Sequence, residues 1–230
     1  MKSKTMSDKI RNYYSLIPDH MKKKSHNPNY KNHFFNIPFR VLICGGSGSG
    51  KTNSLLELIH RMNNTFEKIV ICCKNKTEPL YDYLEEKIES EYLQFYEGIN
   101  NIPPIEDFEG CGQTLIVFDD LVMDKNQSII EQYFIRGRKI GEGISLCYLS
   151  QSFFRTPKSI RLNVNYVMLM GMASRRDLNL LLSEFVLGKD VDLKRLLELY
   201  NYSTKNKMDF FLVDIDHEDK RLRHGFLEIL

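Results

Sequence analysis

Gly45-Gly-Ser-Gly-Ser-Gly-Lys-Thr52 decides how the rest of this chain is read. It meets the pattern G-x-x-x-x-G-K-[ST] at every fixed position. The residues before it, Phe39-Arg-Val-Leu-Ile-Cys44, are apolar and β-prone. Those after it, Asn53-Ser-Leu-Leu-Glu-Leu-Ile-His-Arg-Met62, carry apolar side chains at helical spacing. Strand, glycine-rich turn and helix in that order form an anion cradle. Glycines at 45, 46, 48 and 50 let successive backbone N–H groups turn inward, and the helix that follows adds the positive end of its dipole.

A nucleoside triphosphate is the ligand such a cradle suits. Gly45, Gly46, Ser47, Gly48, Ser49, Gly50, Lys51 and Thr52 are the expected ATP-binding residues, with Ser47 and Ser49 serving as small loop residues. Lys51 is placed to reach the β- and γ-phosphates and the Thr52 hydroxyl to ligate Mg²⁺.

Working outward, Leu115-Ile-Val-Phe-Asp-Asp120 is an apolar run ending in two carboxylates. Ligands of an open α/β sheet lie beyond the carboxyl ends of its strands, so Asp119 is expected near the Mg²⁺ and Asp120 near the attacking water. Taken alone, an acidic pair at a strand end is also what a solvated turn looks like. Gln151 closes the next strand, Ile144–Ser150, where an amide can sense the γ-phosphate or place the water; a Gln after a strand is otherwise commonplace. Arg136 and Arg138 flank Gly137 between these two strands. An arginine offered to a neighbouring subunit's γ-phosphate is worth roughly 10³–10⁵ in rate. From spacing alone, a helix C-terminus that favours positive charge is the simpler account of both.

The remaining pattern alternates. Strands are expected at 68–73, 92–96, 114–119, 144–150, 166–170, 208–213 and 225–230, and helices at 78–88, 129–140, 175–185 and 191–202. That order predicts an α/β fold, a mostly parallel sheet with helices on both faces, and a hairpin at the C-terminal edge. Residues 33–230 read as one domain. Residues 1–32 read as a basic arm with interleaved aromatics, suited either to phosphates and neighbouring subunits or to plain solvation.

Bulk properties exclude little. The 230 residues are 42% hydrophobic and 27% charged, which argues against disorder, and a net charge of +2 does not itself point to nucleic acid. Five cysteines in no zinc-like spacing fit reduced thiols. No signal peptide is evident, and no apolar run approaches the ~20 residues that span a bilayer.

Three blocks together resemble the FtsK–HerA superfamily of ring ATPases, in its viral genome-packaging branch of poxvirus-type and virophage enzymes. They are Pro38–Asn53, Ile116–Leu121 and Arg136–Gln151, and the segment Ser174-Arg-Arg-Asp-Leu-Asn179 is similar as well. The likeness spans residues 35–185. It implies a RecA-like core, a homo-oligomeric ring, and ATP-driven movement of double-stranded DNA into a capsid through capsid or portal-vertex proteins. It also implies a virion or host-cell cytoplasmic setting. By the same likeness Lys51 and Thr52 bind phosphate and Mg²⁺, Asp119 supports the metal and Asp120 supports hydrolysis. Gln151 acts as sensor, and an arginine of 136–138 acts in trans. Asp120 departs from the Glu that many relatives outside the packaging branch carry, and an Asp reaches less far. Two other functions fit a phosphate loop. One is a nucleotide kinase drawing its lid from Arg155, Arg161, Arg175 and Arg176. The other is a nucleotide-gated capsid assembly factor.

Overall fold

The computed structural model describes all residues except 1–9, 23–24, 186–191, 218 and 220. The basic side chains of Lys2, Lys4, Lys9, Lys23 and Lys24, part of the expected arm, lie outside the described residues.

The phosphate-loop strand β1 (Arg40–Cys44) leads into helix α1 (Lys51–Arg61). Then follow β2 (Lys68–Cys73), α2 (Pro79–Lys87), β3 (Leu93–Glu97), β4 (Thr114–Asp119), α3 (Ser128–Arg136), β5 (Ile144–Ser150), the short α4 (Lys158–Arg161) and β6 (Tyr166–Leu169). The chain closes with α5 (Arg175–Ser183), α6 (Leu193–Ser203), β7 (Phe211–Asp214), β8 (Leu222–His224) and β9 (Glu228–Ile229). Among the described residues these strands form one sheet in the order β3-β2-β4-β5-β1-β6-β7-β8-β9. The strands from β3 to β6 are parallel, and β7, β8 and β9 add antiparallel to one edge.

Alternation along the strands explains the two layers. Val41, Ile43, Val117 and Leu149 face α1 and α2 in one core, which also holds Leu55, Leu58, Tyr81 and Leu84. Leu42, Phe118, Leu146 and Tyr148 face the other core with Tyr133 and Phe134 of α3, Leu181 of α5 and Leu199 of α6. Strands covered on both faces read as unbroken apolar runs, so β2, β4 and β5 sit where the sequence predicts them. Each such buried side chain contributes about 1.5–3 kcal/mol over leaving it in water.

Two elements differ from expectation. The helix foreseen over 129–140 stops at Arg136 and tightens into a 3₁₀ turn over Gly137–Lys139. Gly137 is a poor helix residue and lies close against Ile144, where a Cβ would come within 3.5 Å. The last strand foreseen over 225–230 is also displaced. Gly225 turns the chain at φ +61°, Phe226 drops into the core, and the strand that pairs with β7 is Leu222–His224, just ahead of the expected one. The edge is therefore a pair of hairpins, β7–β8 and β8–β9.

The expected arm is not uniform. Tyr13, Tyr14 and Leu16 are exposed, whereas His26 exchanges backbone hydrogen bonds with the Gln113 side chain. Just beyond the arm, Phe35 is fully buried and stacks on Tyr166 at 4.1 Å.

Candidate active site

Sheet order places the site. β1 carries the phosphate loop and β4 the acidic pair, and β5 lies between them. The carboxyl ends of all three open on a cleft of about 490 Å³. Ser47, Gly48, Gly50, Lys51, Thr52, Asp119, Asp120 and Gln151 line it. Gly45 and Gly46 form the start of the loop behind them.

The glycines are needed where the backbone requires them. Gly50 sits at φ +99°, and a Cβ on it would lie 3.0 Å from Met208 Cγ. A Cβ on Gly45 would lie 2.5 Å from Met170 Cβ. The Gly45 N–H donates to the Ser150 carbonyl at 3.2 Å, and Ser49 N–H closes a turn onto Gly46. The helix begins at Lys51, whose Nζ donates to the carbonyls of Gly45 and Gly46 at 2.9 and 3.0 Å. Burial holds the Lys51 pKa below its ordinary value, opposed by the nearby charge of Asp119 and, less, of Cys44 and Asp120. Cys44 beneath the loop is a buried thiol pushed up to about 12 by burial, so it is no nucleophile.

Asp119 and Asp120 are held differently. Asp119 accepts a hydrogen bond from the Tyr81 hydroxyl at 2.6 Å on Oδ2. Burial raises its pKa, while the Tyr81 bond and Lys51 pull the other way. Asp120 is exposed and adopts the left-handed conformation at φ +55°, which few non-glycine residues occupy and which Asp tolerates better than most. Its Oδ1 accepts from Gln151 Nε2 at 3.2 Å. Insertion of β5 between β1 and β4 thus brings Gln151 to the acidic pair.

Arg136 and Arg138 do not line this cleft. They precede β5, at the amino end of a seven-residue strand whose carboxyl end carries Gln151. That strand length alone separates them from the cleft by roughly 20 Å. Arg136 is paired with Glu106 at 2.8 Å. Arg138 is exposed, and its charge helps burial hold the Arg40 pKa below the ordinary guanidinium value. Arg155, Arg161, Arg175 and Arg176 also stay outside the cleft, and Arg161 is bound to Glu184 at 3.1 Å.

The sequence reading missed part of the wall. Lys74, Asn75, Thr77 and Glu78, from the β2–α2 connection, and Leu80, at the start of α2, line the cleft, as do Lys207 and Met208 from the turn before β7. The carboxyl-end rule applied to β2 would have found the first group. Lys207 and Met208 carry no such local signal: the antiparallel strand β7 that follows brings their turn over Gly50. Met208 is itself left-handed, at φ +76°.

The chain as a whole is similar to known proteins. The DNA packaging protein OPG160 of vaccinia virus (strain Copenhagen) is 26% identical over 184 residues, covering 74% of this chain and 67% of that protein. Its variola virus counterpart is 27% identical over 177 residues, covering 71% and 64%. The fold is that of the genome packaging NTPase B204 from Sulfolobus turreted icosahedral virus 2, solved with ATP-gammaS. That likeness has a TM-score of 0.60 at 13% identity and covers 85% of this chain and all of that one. Residues 27–217, which hold the whole cleft, match the family described as Poxvirus A32 protein, and the chain belongs to that family.

Proposed function

We propose that this chain is an ATPase that drives double-stranded DNA into a viral capsid. One observation carries the catalytic half: the phosphate loop, Asp119, Asp120 and Gln151 converge on one cleft, with Gln151 hydrogen-bonded to Asp120. The DNA half rests on kinship with the poxvirus packaging proteins.

The cleft's donor set suits Mg²⁺. The Thr52 hydroxyl and the Asp119 carboxylate are hard oxygen donors on the same cleft, and the Asp119 oxygen not bound by Tyr81 accepts no hydrogen bond among the described residues. Few protein ligands are needed, because Mg²⁺ in phosphate-loop sites keeps several waters and takes phosphate oxygens. When bound, the ion neutralises charge on the β- and γ-phosphates.

The chain's own residues do the rest. Loop N–H groups and the α1 terminus hold the phosphates. Lys51, which rests on its own loop carbonyls, exchanges those bonds for phosphate oxygens. Asp120 accepts the proton of the attacking water, and Gln151, already bonded to Asp120, orients that water. Arg138, exposed at the opposite end of β5, is the residue offered to a neighbouring subunit in a homo-oligomeric ring, with Arg136 second. In this reading residues 33–230 are the motor body and residues 1–32 a basic arm, tied down near its end through His26. Capsid or portal-vertex proteins are the assembly partners, in a virion or host-cytoplasmic setting. Among the described residues no helix is long and apolar enough to cross a membrane.

The test is ATP hydrolysis by the full chain with and without double-stranded DNA, at low and moderate salt, beside Lys51→Ala. The expected result is turnover stimulated by DNA, weakened by salt and abolished in the variant. DNA-indifferent hydrolysis by the assembled oligomer would overturn the motor while leaving the ATPase.

A further inference from the structure

Tyr81 lies outside every motif, yet its hydroxyl is hydrogen-bonded to the Asp119 carboxylate, which lines the same cleft as Thr52. Its ring is fully buried, packed in the α1/α2 core and tilted against Phe95 at 5.6 Å between centroids. Its hydroxyl reaches out of that core to Asp119 Oδ2 at 2.6 Å. The Asp119 backbone is also fixed, in the β4–β2 register and by the Lys74 N–H on its carbonyl at 3.2 Å. A carboxylate on a fixed backbone still turns about its own side-chain bonds. A strong hydrogen bond to one oxygen removes that freedom and fixes the other, on a residue that lines the cleft.

We propose that Tyr81 is a positioning residue for the divalent cation of this site: its hydroxyl orients Asp119 so that the free oxygen serves the metal. This rests on the reading of Asp119 as the metal-supporting carboxylate. A buried tyrosine hydroxyl needs an acceptor in any case, so bond formation alone does not separate positioning from packing. The difference lies in the consequences. If the bond serves packing alone, its loss lowers stability and leaves metal affinity unchanged. If it orients the carboxylate, its loss weakens metal binding while nucleotide binding without metal is retained. The arrangement also couples the cation to α2, because Tyr81 follows Glu78 and Leu80, which themselves line the cleft.

The experiment is Mn²⁺ binding to the full chain with ATP-gammaS, followed by the loss of the free-ion paramagnetic resonance signal, for the parent, Tyr81→Phe and Asp119→Asn. ATP-gammaS affinity in excess chelator is measured on the same three. Tyr81→Phe keeps the buried ring and removes only the hydroxyl. The expected result is Mn²⁺ affinity weaker by roughly 10–100-fold, the usual effect of removing a residue that supports a metal ligand, with metal-free nucleotide affinity unchanged. Parent-like Mn²⁺ affinity in Tyr81→Phe, with loss in Asp119→Asn, overturns the proposal and spares the reading of Asp119. Parent-like affinity in both variants overturns the two together. An equal loss of metal-free nucleotide affinity in Tyr81→Phe also overturns it, because the hydroxyl then supports the cleft as a whole.

Discussion

His33 shows how a single buried side chain sets a pH limit on this protein. It is fully buried, and its Nδ1 accepts from the Phe35 N–H at 2.9 Å. The imidazole must therefore be neutral, with its proton on Nε2. Protonation would turn that acceptor into a donor facing a donor. Burial, and then the charges of Arg223 and Arg61, lower its pKa from 6.5 to about 4. The unfolded chain therefore binds this proton first as pH falls. The stability His33 provides is complete above pH 6.5 and is lost as pH falls toward 4. Between pH 7 and pH 4.5 the loss is about 2–3 kcal/mol. Urea denaturation at those two pH values is expected to show this extra loss in the parent and a smaller one in His33→Gln. Equal losses in the two proteins would refute the assignment.

Among the elements, legibility follows burial pattern. β2, β4 and β5 could be read to the residue because strands covered on both faces give unbroken apolar runs. The C-terminal edge could not, because the decisive residue there is an arginine. Arg223 in β8 is fully buried, and its guanidinium donates to the carbonyls of His33 and Phe226 and pairs with Asp214 of β7 at 3.3 Å. A charged residue in a charged stretch reads as a solvated connector, and nothing local announces that one of its acceptors is the His33 carbonyl, 190 residues away. Arg223→Met fills the space but leaves Asp214 buried without its cation. The expected cost is about 3–5 kcal/mol by urea denaturation. A loss under about 1 kcal/mol would mean that the pair contributes little to holding the edge strands and residues 33–35 together.

For the whole molecule, the strand direction separates the cleft from Arg138. Gln151 and the acidic pair lie at the carboxyl ends of the strands, and Arg138 lies near the amino end of β5. Arg138 does not line its own cleft, so the role proposed for it needs a neighbouring subunit. Subunit mixing tests this. Lys51→Ala and Arg138→Ala are each expected to hydrolyse ATP at least about 10³-fold more slowly than the parent. In an equal mixture, about a quarter of head-to-tail interfaces join an intact loop to an intact arginine, so activity returns. A mixture no more active than its components would place the Arg138 contribution within its own subunit or remove it.

What the sequence determined by itself is local and chemical. Gly45–Thr52 dictated a phosphate loop because only that spacing of glycines, lysine and hydroxyl bends the backbone around an anion. Apolar runs dictated the parallel strands, and the polar residues that close them, Asp119, Asp120 and Gln151, marked the ends where a ligand is expected. Tertiary structure decided what depends on which strand lies beside which. It put β5 between β1 and β4, so that Gln151 meets Asp120. It set Tyr81 against Asp119, brought Lys207 and Met208 over the loop, and buried Arg223. Those contacts join residues far apart in the chain through a shared core, and neither hydrophobic period nor motif spacing carries information about partners at that distance.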